Sequence, residues 1–212
     1  MPTFNFNKII KILILSDFVI YSAGGLLAPI FAVFLLDSIE GGDARVAGIA
    51  AGIYWIVKSI LQIPFGKFLD RTSGEKDDYW FMILGIFIAS LVPLGYLVVY
   101  EPWHVYALQS VLAIGMAMVI PPWGGIFTRH IDRGREAETW GFESSLLGMG
   151  MGVAGIVGGI IAKSFGFNFI FATVSAFGLL GVFLLLLIRN DILPAVKNKE
   201  ARLKRQAHRM KH

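Results

Sequence analysis

The sequence predicts an all-α membrane protein built on six spanning helices, and three observations lead there. The 212 residues are 56 % hydrophobic and only 16 % charged, whereas a soluble domain carries about 25 % charged residues. The mean hydropathy is +0.67. Six apolar runs are each long enough to cross a hydrocarbon core, which takes roughly 20 helical residues. Strands of a membrane barrel would instead be about 10 residues long with alternating polarity.

The runs lie near 12–36, 46–66, 80–100, 104–128, 139–162 and 167–189, joined by short connections within a domain of 1–190. The first is too long for the h-region of a signal peptide and contains Asp17. The second carries Tyr54, Lys58 and Gln62 at i, i+4 and i+8, one polar stripe on an otherwise apolar helix. Phe81 to Tyr100, in the third, has no Asp, Glu, Lys or Arg, and neither does Val105 to Thr128 in the fourth. In the fourth, Pro121 and Pro122 are expected to kink the helix, and Gly124 and Gly125 let it bend. The fifth carries Gly148, Gly152, Gly155 and Gly159 at 4-3-4 spacing, a face suited to close helix packing in lipid. The sixth is uncharged from Ser164 to Ile188, and a polar, basic tail occupies 191–212.

Charge sets the orientation and narrows the function. Lys8, Lys11, Lys67, Arg71, Lys76, Arg129, Arg133, Arg135, Arg189 and the tail fall on one side of the six spans, with Arg45 and Lys163 on the other. The positive-inside rule then puts both termini in the cytoplasm. The net charge of +4 flanks apolar runs, which points to membrane lipid as a partner and away from nucleic acid. With no cysteine, disulfide and thiol chemistry are excluded. No metal-ligand cluster, phosphate loop or nucleophile–base pairing emerges, so neither an enzyme nor a cofactor or metal is expected.

Ionisable residues at membrane depth are costly and are candidates for function. Lys58 lies eight residues before Gly66, about 12 Å into its helix at 1.5 Å per residue. It fits either a structural ion pair or a role toward substrate or ion. Asp17 shares a face with Tyr21, and Glu143 sits about one turn inside the fifth helix. Each is either an interfacial carboxylate near solvent or a protonatable partner for Lys58.

Three stretches carry a resemblance to a known family. Gly66-x-x-x-Asp70-Arg71, followed by Gly74 and Lys76, resembles the signature loop G-x-x-x-D-R-x-G-R/K between the second and third helices of the major facilitator superfamily, with one extra residue before Gly74. Gly141, Gly150, Ala154, Gly155, Gly158 and Gly159 are similar to the antiporter pattern G-x8-G-x3-G-P-x2-G-G of its fifth helix, with Ala and Gly for the third Gly and the Pro. Gly166-Phe167-Asn168-Phe169-Ile170-Phe171 resembles the G-W-R-W-x-F that opens its sixth. In the fourth helix Gln109 stands where the family often has an Arg linked to proton coupling.

The resemblance implies a 3+3 inverted-repeat bundle like one half of a twelve-helix transporter. It implies a secondary transporter of a small solute working as a half-size parallel homodimer with C2 symmetry and alternating access, in a prokaryotic cytoplasmic membrane. Helices one and four would line the pathway, which makes Tyr21, Tyr54, Gln62, Gln109 and Met116 lining candidates beside Asp17, Lys58 and Glu143. Asp70 would latch onto the N-terminal end of helix five of the second copy. The alternatives are a half-transporter that needs a different six-helix partner and a non-transporting membrane scaffold.

Overall fold

The computed structural model describes residues 6–71 and 74–192. Thr72 and Ser73 of the signature stretch, and the basic tail from 193 onward, lie outside the described residues. The described chain is helical and contains no strand. Helix α1 spans Lys8–Leu27, α2 Phe31–Ser38, α3 Ala44–Arg71, α4 Glu75–Gly95, α5 Pro102–His130 and α6 Glu136–Leu186, with a 3-10 turn at Tyr96–Val98 after α4. Five helical stretches among the described residues are long and apolar enough to cross a membrane, the last running over Glu136–Ile192.

Local chemistry sets several of the ends. Asn7 caps α1 by accepting from the Ile10 N–H at 3.0 Å, and Asp43 accepts from the Val46 N–H at 2.8 Å at the start of α3. Pro102 opens α5, where a missing N–H costs nothing. The expected first run, 12–36, is split into α1 and α2 at 28–30. Pro29 has no N–H to continue the ladder, and its ring crowds the carbonyl one turn back. The stretch Gly66–Arg71, expected as loop, is the last part of α3, so only 72–74 separates α3 from α4. Gly66 does not break the helix there. It faces α5 at ordinary contact distance, where an added Cβ would lie 3.7 Å from that of Pro121. Helix α5 runs continuously through Pro121 and Pro122.

Helix α6 is too long to be one rod in a membrane. Straight, its 51 residues would measure about 76 Å against a hydrocarbon core of roughly 30 Å. Gly166 breaks it with φ 77° and ψ 173°, a region essentially reserved for glycine. The arm before Gly166 follows α1 in the same sense: Gly150 sits on Phe18 and Ser22, Met151 and Ala154 on Gly25, and Gly158 on Leu26. The arm after it follows α1 in reverse. Gly181 lies at Ser16 and Ile20, while Ile170 and Val174 pack with Ala23, Leu26 and Ile30. The chain therefore turns back at Gly166, and α1 contacts both arms.

The other neighbours are α3 along α5, α4 along α5, and α4 along the second arm of α6, while α1 and α5 meet at few points. Gly85 and Gly115 bring the α4 and α5 backbones together, each where a Cβ would press on the other's carbonyl oxygen. Helix α3 and the first arm are the outer helices, and Trp55, Ile56, Ile60, Ile63, Val153 and Ile156 are exposed on them.

Candidate substrate pathway

Acidic and basic side chains tie the helices together at the end of the bundle that holds the start of α1. Arg129, in the last turn of α5, reaches Glu75 at 2.8 Å and also pairs with Asp78 in the first turn of α4. The Asn7 amide donates to the His130 carbonyl at 2.6 Å, and Lys8 pairs with Asp191 at 2.6 Å. This cross-link was not apparent in the sequence, where Arg129 counted only toward orientation. The available signal was a pair of carboxylates at i, i+3 opening α4, opposite a basic last turn of α5. In the signature stretch, Asp70, Arg71 and Lys76 are exposed, Gly74 precedes the first turn of α4, and the charge of Asp70 is felt at Asp78.

Farther from that end, the candidates separate into groups. Asp17 and Tyr21 of α1 and Glu143 of the first arm lie on helices that pack together, and the Tyr21 hydroxyl feels the charges of Asp17, Tyr54 of α3 and Glu143. Helices α1 and α3 do not pack along each other. Asp17, Glu143 and Lys58 are each 7 % exposed. Gln109 is also buried and lies apart, beside Tyr96 at the opposite end of the bundle, while Gln62 and Met116 are half-buried.

Lys58 does not form the ion pair considered for it. Among the described residues no ion pair joins Lys58 to a carboxylate, or joins Asp17 or Glu143 to a cation. Its ammonium instead lies 3.7 Å from the Trp55 ring centroid and 5.0 Å from that of Tyr54. Those rings, one turn back on the same helix, present their negative faces to the cation. Trp55 was the missed member, three residues before Lys58 and so as close a helical neighbour as Tyr54.

The glycines of the first arm also need a correction. The packing face is Gly150, Ala154 and Gly158, set on α1, where added Cβ atoms at the glycines would strike Ser22, Phe18 or the Leu26 backbone. Gly148, Gly152 and Gly159, from the face expected to pack, meet nothing within 4 Å, and Gly155 only touches at 3.7 Å; Gly141 is also open. The reason is rotational: α1 lies about two positions around the helix from the 4-3-4 stripe. Gly48 and Gly52 of α3 are likewise bare.

Comparison with known proteins adds a family and relatives. The family model described as Major Facilitator Superfamily matches residues 13–211. The chain is similar to an uncharacterized MFS-type transporter of Methanocaldococcus jannaschii, 26 % identical over 176 residues covering 83 % of this chain and 44 % of the relative. It is 24 % identical over 173 residues to the multidrug resistance protein MdtG of Proteus mirabilis, covering 80 % of this chain and 42 % of that protein. A proton-coupled antiporter flippase, LtaA of Staphylococcus saprophyticus, is 26 % identical over 105 residues, 50 % of this chain and 26 % of that one. The chain thus spans less than half the length of the relatives it matches.

Proposed function

Because the chain belongs to the major facilitator superfamily, whose members are transporters and not enzymes, we propose that it moves a small organic solute as one half of an alternating-access pathway. In this reading there are six spans: α1 with α2, then α3, α4, α5 and the two arms of α6. Exchanging α1, α3 and α4 for α5, the first arm and the second arm leaves the pattern of packed neighbours unchanged. That symmetry supports a 3+3 inverted repeat. The basic end is read as cytoplasmic, with both termini there, and the bacterial and archaeal relatives support a prokaryotic cytoplasmic membrane.

The observation that carries the transport reading is the trio Asp17, Lys58 and Glu143. Three ionisable side chains from three helices are nine-tenths buried within apolar spans, with no ion pair among the described residues to offset their desolvation. Such groups mark substrate or ion pathways.

A second six-helix unit completes the pathway, and the reading takes it to be a second copy. The bare glycines Gly48 and Gly52 on α3 and Gly148, Gly152 and Gly159 on the first arm of α6 support this. Both are outer helices, and a C2 axis along the membrane normal lays the first arm of each copy against α3 of the other. Asp70 then faces the positive end of the partner's first arm. The length of the relatives favours, as a second reading, a different six-helix unit in that place.

The absence of native cysteine permits a test that needs no known substrate. Single cysteines at Tyr21 and Met116, in sealed proteoliposomes, are exposed to a membrane-impermeant maleimide from either side. Alternating access predicts labelling from both sides, each side protected when the other is trapped open. Labelling from one side only, or neither, contradicts it and favours a scaffold.

A further inference from the structure

We propose that the groove between the end of α3 and the start of α4 holds an anionic phospholipid of the phosphatidylglycerol type. Its phosphate rests on Arg189 and Lys76, and an acyl chain runs along Trp80, Phe81 and Leu84. The site goes beyond the transport reading and does not depend on it.

The groove follows from how the two helices meet. Only 72–74 connects α3 to α4, so their ends are close, yet the two do not pack along each other. Phe81 of α4 bridges the gap, its ring centroid 5.2 Å from that of Phe65 and 6.4 Å from that of Phe68. A hollow of about 410 Å³ remains, lined by Phe68 and Leu69 of α3 and by Asp77, Trp80, Phe81 and Leu84 of α4. Sites for small molecules measure about 300–1,000 Å³. Phe68 and Leu84 are exposed, so the hollow is open at the surface of the bundle.

Its polarity changes along α4 as that of an amphiphile does. Asp77 stands in the first turn, and Phe81 and Leu84 follow at i+4 and i+7 on the same face. At 1.5 Å per residue they lie about 6 and 10 Å farther along the span. Trp80, between the charged and the apolar ends, is the residue type that favours the headgroup level.

The rim is basic. The Arg189 guanidinium carbon lies 5.3 Å from the centroid of the Trp80 ring. Lys76 precedes Trp80 by one turn on the same face of α4. Lys67 and Arg71 are exposed, one turn apart, at the end of α3. Among the described residues none of these four is ion-paired, and the carboxylates Asp70 and Asp77 offset only two of them. A guanidinium over an aromatic ring keeps its N–H groups for a phosphate. A choline headgroup brings a cation of its own and nothing that can donate to Asp77. Glycerol hydroxyls donate to that carboxylate, while the phosphate supplies the negative charge that the rim lacks.

The full chain in lipid-depleted micelles is titrated with phospholipids brominated in the acyl chain. Tryptophan quenching is read at Trp80 as the difference from Trp80→Phe. Phosphatidylglycerol is expected to half-saturate this signal at a concentration about tenfold below that of phosphatidylcholine or phosphatidylethanolamine with the same chains. Lys76→Gln combined with Arg189→Gln is expected to erase the preference. Arg133→Gln, which removes one exposed charge between α5 and α6, is expected to keep it. Circular dichroism and a monodisperse elution profile establish that each variant is folded. Equal half-saturation for the three lipids, a preference that survives the double substitution, or one lost in Arg133→Gln overturns the proposal. So does a lack of quenching at Trp80 by any lipid, which would mean that protein covers the groove. The readout involves no flux, so failure of the labelling test for alternating access would leave this result standing.

Discussion

Replacing Gly158 by Ala, with Gly159→Ala as its control, tests the packing of α1 on the first arm of α6. The two positions are neighbours on one helix, and both gain about 1 kcal/mol of helix propensity on becoming alanine. Their surroundings differ completely. A Cβ at 158 falls onto the Leu26 carbonyl oxygen and lies 2.8 Å from its carbon and 2.9 Å from its Cα, whereas a Cβ at 159 meets nothing within 4 Å. All three obstacles are backbone, so no side chain can rotate out of the way. The helices must separate by roughly half an ångström or more along this turn, enough to forfeit about a quarter or more of each dispersion well that spans the contact. Overpacking of this kind costs about 1–3 kcal/mol. Because the propensity terms cancel, Gly158→Ala should be less stable than Gly159→Ala by that amount. Reversible unfolding in mixed micelles, followed by far-ultraviolet circular dichroism under monomeric conditions, measures the difference. Equal stabilities, within about 0.5 kcal/mol, would show that α1 does not approach the first arm as described.

The remaining expectations concern other joints of the bundle. Arg129→Gln leaves Asp78, which is 8 % exposed, without its cation and should cost about 1–3 kcal/mol in the same unfolding assay. Arg135→Gln loses a partly exposed two-bond pair with Glu138 and a place 5.6 Å from the Phe6 ring and should cost less than Arg129→Gln, about 1 kcal/mol or below. Gly166→Ala should cost about 1–3 kcal/mol from backbone strain alone, since φ is 77° and nothing crowds the site. A neutral result there would mean that the turn between the arms has another geometry. Tyr79→Phe removes the hydroxyl that donates to the Leu185 carbonyl at 3.0 Å and should lower stability by about 1 kcal/mol, with local hydrogen exchange rising where α4 meets the second arm.

What was legible in the sequence follows from what one-dimensional patterns contain. Long uncharged runs announce spanning helices because lipid leaves no other solution for the backbone, and α3, α4 and α5 appear close to where those runs lie. Rotation about a helix axis is harder to read. The first arm has enough glycines to offer two faces; the one set on α1 includes Ala154, and the all-glycine stripe is open within this copy. Gly66 in a charged run looked like a loop because nothing in the run itself shows that α3 continues through it to Arg71. Tyr54 beside Lys58 was visible as i, i+4, but no periodicity says whether a buried lysine finds a carboxylate or an aromatic face. That the charges of Asp17, Tyr54 and Glu143 are felt at Tyr21 likewise required three helices to be set in place. The pairing of Arg129 with Glu75 and Asp78 depends on the antiparallel meeting of α4 and α5, which the short connection between those two helices implied.

The central claim is that two such units form one transporter, and its most direct test is the mass of the particle in lipid. Native mass spectrometry of the full chain, ejected from lipid nanodiscs without detergent, should give ions at twice the 23.4 kDa of one copy. Exchanging Gly152 and Gly52 for isoleucine should move the population to single copies. Ions of one copy alone from the parent protein, or of one copy bound to a different chain, would contradict the account of a self-paired transporter.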